Sequence, residues 1–225
     1  MTPQPRLIDV AIPDRPEGVV LVLHGGARRG ERMMVSPTQL SVLRMVPIAR
    51  RIARAGSGRL AVYRLLNSSR GWDTTHTPVQ DARWALSRIA ERHGAPLATC
   101  LVGHSLGGRA ALLTATRPEV RGAVALAPWV YPTDVPAGLG GQRILIVHGS
   151  RDRIASPERS AALARRLSER TDVAYVTVER GTHAMLARHA VFSGLAAEFV
   201  TSTLLGASGN GALARIESGD RWARV

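Results

Sequence analysis

The sequence predicts an α/β fold: a mostly parallel, doubly wound sheet with helices on both faces. Two observations carry that expectation. Seven apolar runs of strand length recur along the 225 residues, and stretches with helical spacing lie between them. Strands alternating with helices need crossover connections, which set parallel strands side by side and cover both faces of the sheet.

In chain order, the strand candidates are Leu7–Ile12, Val19–Leu23, Leu60–Leu66, Ala98–Val102, Ala123–Leu126, Ile144–Val147 and Val173–Val178. Most are continuously apolar and several are rich in Val or Ile, as strands covered on two faces should be. Between them, Pro78–Arg92 sets Val79, Ala82, Leu86 and Ile89 at three- and four-residue steps. Thr77 and Pro78 mark the start of that helix and Gly94 its end. Ser156-Pro157-Glu158 opens a second helix, which carries Ala162, Leu163 and Leu167. A third is expected from about Ala184 to Leu205, interrupted near Gly194. With no linker dividing them, residues 1–205 are expected to form a single domain. The stretch GASGNGA then reads as a spacer, so 206–225 are expected to be a flexible tail.

Composition narrows the function classes. Apolar residues make up 45% and aromatics only 4%, so the core must be built from Val, Leu, Ile and Ala. A lone cysteine, Cys100, excludes an intramolecular disulfide and reads as a small apolar residue within a strand. The N-terminal stretch lacks a basic-then-apolar signal pattern, and no apolar run approaches the ~18 residues that span a bilayer. A soluble, cytoplasmic protein with no membrane span is expected. The net charge is +13, and all 30 basic residues are arginine. They are scattered, with no basic cluster and no interleaved aromatics, so nucleic acid is not an expected partner. The field still favours anionic ligands.

The chemistry lies at the strand ends. Cys100-Leu101-Val102 stops abruptly at Gly103-His104-Ser105-Leu106-Gly107-Gly108, after which an Ala/Leu-rich stretch begins. A serine between glycines at a strand-to-helix turn has the form of a nucleophile elbow, whose sharp turn leaves no room for a Cβ two residues before or after the serine. A hydroxyl attacks only when a base takes its proton, so an acid and a histidine should follow at later strand ends. Asp152 lies in HGSRD after Ile144–Val147, and His183 in GTH after Val173–Val178. Two N–H donors would hold a developing oxyanion, one from Leu106 and one from the turn His24-Gly25-Gly26-Ala27.

HGGA (24–27), GHSLGG (103–108), HGSRD (148–152) and GTH (181–183), in this order, resemble the α/β-hydrolase superfamily over roughly residues 7–205. The resemblance implies an α/β-hydrolase fold in which Ser105 is the nucleophile, His183 the general base and then acid, and Asp152 the residue orienting His183. Gly26 and Leu106 would supply the oxyanion donors, with Ala27 standing in for Gly26 if the loop register differs. It implies a serine esterase of the carboxylesterase or dienelactone-hydrolase-like kind, although the latter branch usually has cysteine where Ser105 stands. Relatives include thioesterases, peptidases, perhydrolases and non-catalytic ligand binders, so the leaving group stays open. No cofactor or metal is required, and no HExxH or close His/carboxylate pair suggests zinc.

Several residues keep two readings. His24 and His148 read as loop fasteners by hydrogen bonding, and Asp73 and Asp134 rival Asp152 as the acid. Trp72, Trp129 and Tyr131 could pack the core or line a pocket. Only about a dozen residues separate Trp129 from Arg143, too few for a helical lid, so no cap domain is expected. Arg28, Arg29, Arg32, Arg70, Arg151 and Arg153 all follow strands at the carboxyl edge, where open parallel sheets bind ligands. A small acyl substrate is expected. If these arginines face one opening it would be negatively charged, with Arg28 and Arg29 as its contacts; the alternative is that they are merely solvated in a chain rich in arginine throughout.

Overall fold

The computed structural model describes residues 4–26 and 35–225. Eight strands form one sheet: β1 (Arg6–Ala11), β2 (Gly18–Leu23), β3 (Leu60–Leu66), β4 (Thr99–His104), β5 (Val120–Leu126), β6 (Arg143–Gly149), β7 (Asp172–Val178) and β8 (Trp222–Arg224). The helices are α1 (Leu40–Leu43), α2 (Met45–Ala55), α3 (Thr77–His93), α4 (Leu106–Thr114), α5 (Pro157–Ser168), α6 (His189–Leu205) and α7 (Gly211–Glu217). The strand order is β1-β3-β2-β4-β5-β6-β7-β8. Only β1 runs antiparallel, pairing with β3 at an edge, and every other pair is parallel.

Side chains that alternate along each strand divide the core into two layers. On one face Val19, Leu21 and Leu23 of β2 share a layer with Leu86 of α3, Ala111 of α4 and Leu163 of α5. On the other, Val20 and Val22 meet Ile52 of α2 and Phe199 of α6. This is the doubly wound arrangement of an α/β-hydrolase fold, and it explains why β2 and β4 read as unbroken apolar runs: both faces are covered. Because β2, β4, β6 and β7 are parallel, their carboxyl ends open on the same edge, and the candidate residues follow those ends. Residues 127–142 between β5 and β6 form only short turns, and among the described residues nothing builds a cap domain.

Local chemistry sets the helix boundaries. Pro78 sits in the first turn of α3, and Gly94 ends the helix in a left-handed conformation at φ +75°. Ser156 caps α5 by accepting a hydrogen bond from the Arg159 N–H at 3.1 Å. The third expected helix differs at both points: α6 begins at His189 rather than Ala184, after a turn at Met185, and runs through Gly194 unbroken. A side chain at Gly194 would press on the Arg51 guanidinium of α2, so its small size serves helix packing and not a break.

The largest departure is at the end of the chain, where 206–225 were expected to be flexible. Instead α7 buries Leu213 and Ile216, and β8 adds an eighth strand beside β7. Glu217 accepts from Ser202 and lies 3.6 Å from Arg143, while Arg221 pairs with Asp172 at 2.9 Å and Arg224 with Glu179 at 2.9 Å. Trp222 stacks on Tyr175 at 5.2 Å. Deleting residues 207–225 should therefore cost at least about 3 kcal/mol, from two fully buried side chains at ~1.5–3 kcal/mol each. Urea denaturation checks this; an unchanged midpoint would show the segment to be dispensable.

Candidate active site

Ser105 stands between β4 and α4 with φ 56° and ψ −119°, a conformation that side chains rarely adopt. A Cβ at Gly103 would lie 2.1 Å from the Gly107 carbonyl oxygen, and one at Gly107 would lie 2.5 Å from the His24 carbonyl oxygen. Glycine at both positions is therefore a steric requirement of the turn. The turn is held by the Ser105 N–H donating to Leu126 O at 3.0 Å and by Ser105 O accepting from Trp129 N–H at 3.2 Å. Ser105 is largely buried but faces a cavity.

His183 Nε2 lies 3.0 Å from Ser105 Oγ, and its Nδ1 lies 2.8 Å from Asp152 Oδ2. An ionised carboxylate only accepts, so the proton sits on Nδ1 and Nε2 is left to accept from the serine hydroxyl. The loops carrying Asp152 and His183 lean directly on each other: a Cβ at Gly149 would stand 2.3 Å from Gly181 O, and Arg151 N–H donates to that same oxygen at 2.9 Å.

Asp152 is fully buried, and four donors converge on it. Oδ2 accepts from His183 and from His148 Nε2 at 3.1 Å; Oδ1 accepts from the Ile154 and Ala155 amides at 2.8 and 2.9 Å. Burial alone would raise its pKa. The hydrogen bonds from His148, His183, Ala155 and Ile154 outweigh burial and hold the carboxyl well below the usual range.

Three other histidines near the strand ends take other work. His24 Nε2 accepts from the Asn67 N–H at 3.1 Å, so its Nδ1 carries the proton and donates to Gly25 O at 2.5 Å. His148 Nδ1 bonds Ser160 Oγ at 2.7 Å. His104 donates from Nε2 to His183 O at 2.8 Å, and burial drives its pKa down to about 3, so the ring is neutral. The rival acids are committed elsewhere. Asp73 accepts from Thr77 N–H and Oγ1 at the start of α3. Asp134 accepts from Arg109 at 2.7 Å and from the Tyr131 N–H at 2.8 Å. Burial pushes the Cys100 thiol up to about 12, which leaves it inert.

The cavity measures about 370 Å³, and Gly26, Ser105, Leu106, Trp129, Ile154 and His183 lie in its wall. Leu106 is the first residue of α4, so its N–H has no acceptor inside the helix. Neither that N–H nor the Gly26 N–H donates a backbone bond among the described residues. Of the aromatics, Trp129 lines the cavity, whereas Trp72 is absent from its wall and stacks on Arg109 at 4.2 Å. That arginine is buried with Asp134 and needs the aromatic cover. Arg28 and Arg29, like Ala27 and Arg32, lie outside the described residues. Arg70, Arg151 and Arg153 are exposed, and none lines this cavity. The cation that does line it is Arg44, with Ser41 nearby. Neither carries a motif in the sequence; the signal that could have found them is the helical spacing of Met45, Ile48, Ala49 and Ile52, which sets Arg44 at the start of a helix.

Asparagine at position 152 would offer one oxygen where four donors now share two. Asp152→Asn should lose about 1–3 kcal/mol of stability at pH 7. Because the folded-state pKa is depressed, the wild-type advantage is complete above about pH 4 and shrinks as pH falls below it. Denaturation of both proteins across that range checks the prediction; equal stability at pH 7 would refute it.

Comparison with known proteins adds the family. The alpha/beta hydrolase family model matches residues 19–207. A putative alpha/beta hydrolase of unknown function from Agrobacterium tumefaciens shares 17% identity over 90% of this chain and 91% of its own, at TM-score 0.65. An α/β serine hydrolase without a lid from Xanthomonas campestris shares 18% over 88% and 87%, at TM-score 0.63. A thermostable carboxylesterase cloned from a metagenomic library shares 18% over 88% and 89%, at TM-score 0.67. No curated protein matches the sequence. At such identities the structural likenesses speak to the fold alone. With the family model covering most of its length, this chain belongs to the alpha/beta hydrolase family.

Proposed function

We propose that the protein is a lidless serine hydrolase that cleaves small carboxylic esters or thioesters through an acyl-serine intermediate. Family membership supports hydrolysis. The unbroken chain from Ser105 Oγ through His183 to Asp152, with contacts of 3.0 and 2.8 Å, carries the finer reading.

In this reading Ser105 Oγ attacks the substrate carbonyl while His183 Nε2 takes its proton. Asp152 fixes the tautomer and stabilises the imidazolium that forms. The tetrahedral oxyanion is held by the N–H groups of Leu106 and Gly26, each typically worth about 3–4 kcal/mol in the transition state. His183 returns the proton to the departing alcohol or thiol. Water activated by the same imidazole then attacks the acyl-serine, releasing the acid and restoring the hydroxyl. The site needs no cofactor for these steps.

Chromogenic esters and thioesters of short and medium acyl chains test the proposal. Ser105→Ala should lower kcat by at least about 10⁴-fold and His183→Ala by a similar factor, with thermal stability little changed. Turnover that survives in Ser105→Ala would place the chemistry elsewhere.

A further inference from the structure

We infer that Arg44 and Ser41 form a carboxylate-recognising subsite beside Ser105, so that the substrate is a small ester or thioester bearing a carboxylate a short reach from its scissile carbonyl. This rests on the hydrolase reading above and narrows its substrate class.

Arg44 caps the short α1 and opens α2, and that junction places it in the wall of the cavity that holds Ser105 and His183. Its side chain is half-buried, and its Nε is shut off from solvent with no acceptor. No carboxylate pairs with it among the described residues. Arg109 and Arg143 are treated differently: Arg109 pairs with Asp134, and Arg143 lies between Asp172 and Glu217. Arg64 is likewise half-buried without a carboxylate partner among the described residues, but it does not line this cavity. Withdrawing a guanidinium from water without an anion is costly, and burial accordingly lowers the Arg44 pKa. A cation kept in this state beside a nucleophile is poised for an anion brought by the substrate.

Ser41 supplies a second donor in the same wall. Its Oγ accepts from Gln39 Nε2 at 2.6 Å, which leaves the hydroxyl proton to point elsewhere. A guanidinium fork with an adjacent hydroxyl suits a planar carboxylate. The rest of the wall includes apolar Leu106, Trp129 and Ile154. At about 370 Å³ the cavity is near the lower end of ligand sites, so ester and anion must belong to one small molecule.

Two matched substrate pairs and one binding measurement test the subsite. p-Nitrophenyl hemiglutarate against p-nitrophenyl valerate places the carboxylate in the acyl part. 4-Acetoxybenzoate against its methyl ester places it in the leaving group. Wild type should favour the charged member of one pair at least tenfold in kcat/KM, after subtraction of spontaneous hydrolysis. Arg44→Gln should cut that ratio about ten- to hundredfold, and Ser41→Ala by a smaller factor. The ratio within a pair cancels any general damage to folding or chemistry. Separately, glutarate should raise the Tm of the Ser105→Ala protein but not of Ser105→Ala/Arg44→Gln, with chloride at equal ionic strength as control. Esters cleaved without charge preference, or with a ratio unchanged in Arg44→Gln, would overturn the subsite and leave the hydrolase reading standing. Glutarate stabilisation through Arg44 with no ester cleaved would do the reverse. Absence of both would remove both.

Discussion

A single strained residue sets the terms for the whole molecule. Ser105 occupies a backbone conformation that costs roughly 1–3 kcal/mol, and it persists only because its surroundings leave no other course. Strand β4 arrives fully buried, α4 leaves at once, and the amide and carbonyl of Ser105 are tied to Leu126 and Trp129. The two layers of core packing offset that cost. The apolar strands thus do more than stabilise the fold, because they aim one hydroxyl out of the sheet edge.

The second constraint is electrostatic. Asp152 is shut away from water, yet held ionised by four donors, and two of these are imidazoles. His183 connects that charge to the serine. His148 connects it inward, through Ser160, to Tyr175 on β7. The carboxylate is therefore positioned from both sides, by the loop that bears it and by the neighbouring strand. Contact between Gly149 and Gly181 keeps the acid and histidine loops in register with each other.

Much of this was legible in the sequence, and the legible parts share a physical cause. Glycines at 103 and 107 signal a turn with no space for side chains, and continuous apolar runs signal strands covered twice. Asp152 could be read from its place after β6, but its rivals could be dismissed only in three dimensions, once Asp134 was seen bound to Arg109 and Asp73 to Thr77. Composition misled at the chain end. A glycine-rich spacer looks disordered, yet it delivers Leu213 and Ile216 into a core that only the folded sheet provides. Arg44 escaped notice for a related reason: among 30 arginines, nothing local marks one whose Nε tertiary packing buries without an acceptor beside the Ser105 cavity.

The central claim, that the geometry around Ser105 makes its hydroxyl nucleophilic, is tested most directly by covalent trapping with a fluorophosphonate and peptide mapping by mass spectrometry. One phosphonyl group per chain is expected, on Ser105, with labelling lost when His183 is replaced by alanine. No adduct, or an adduct on another serine, would contradict it.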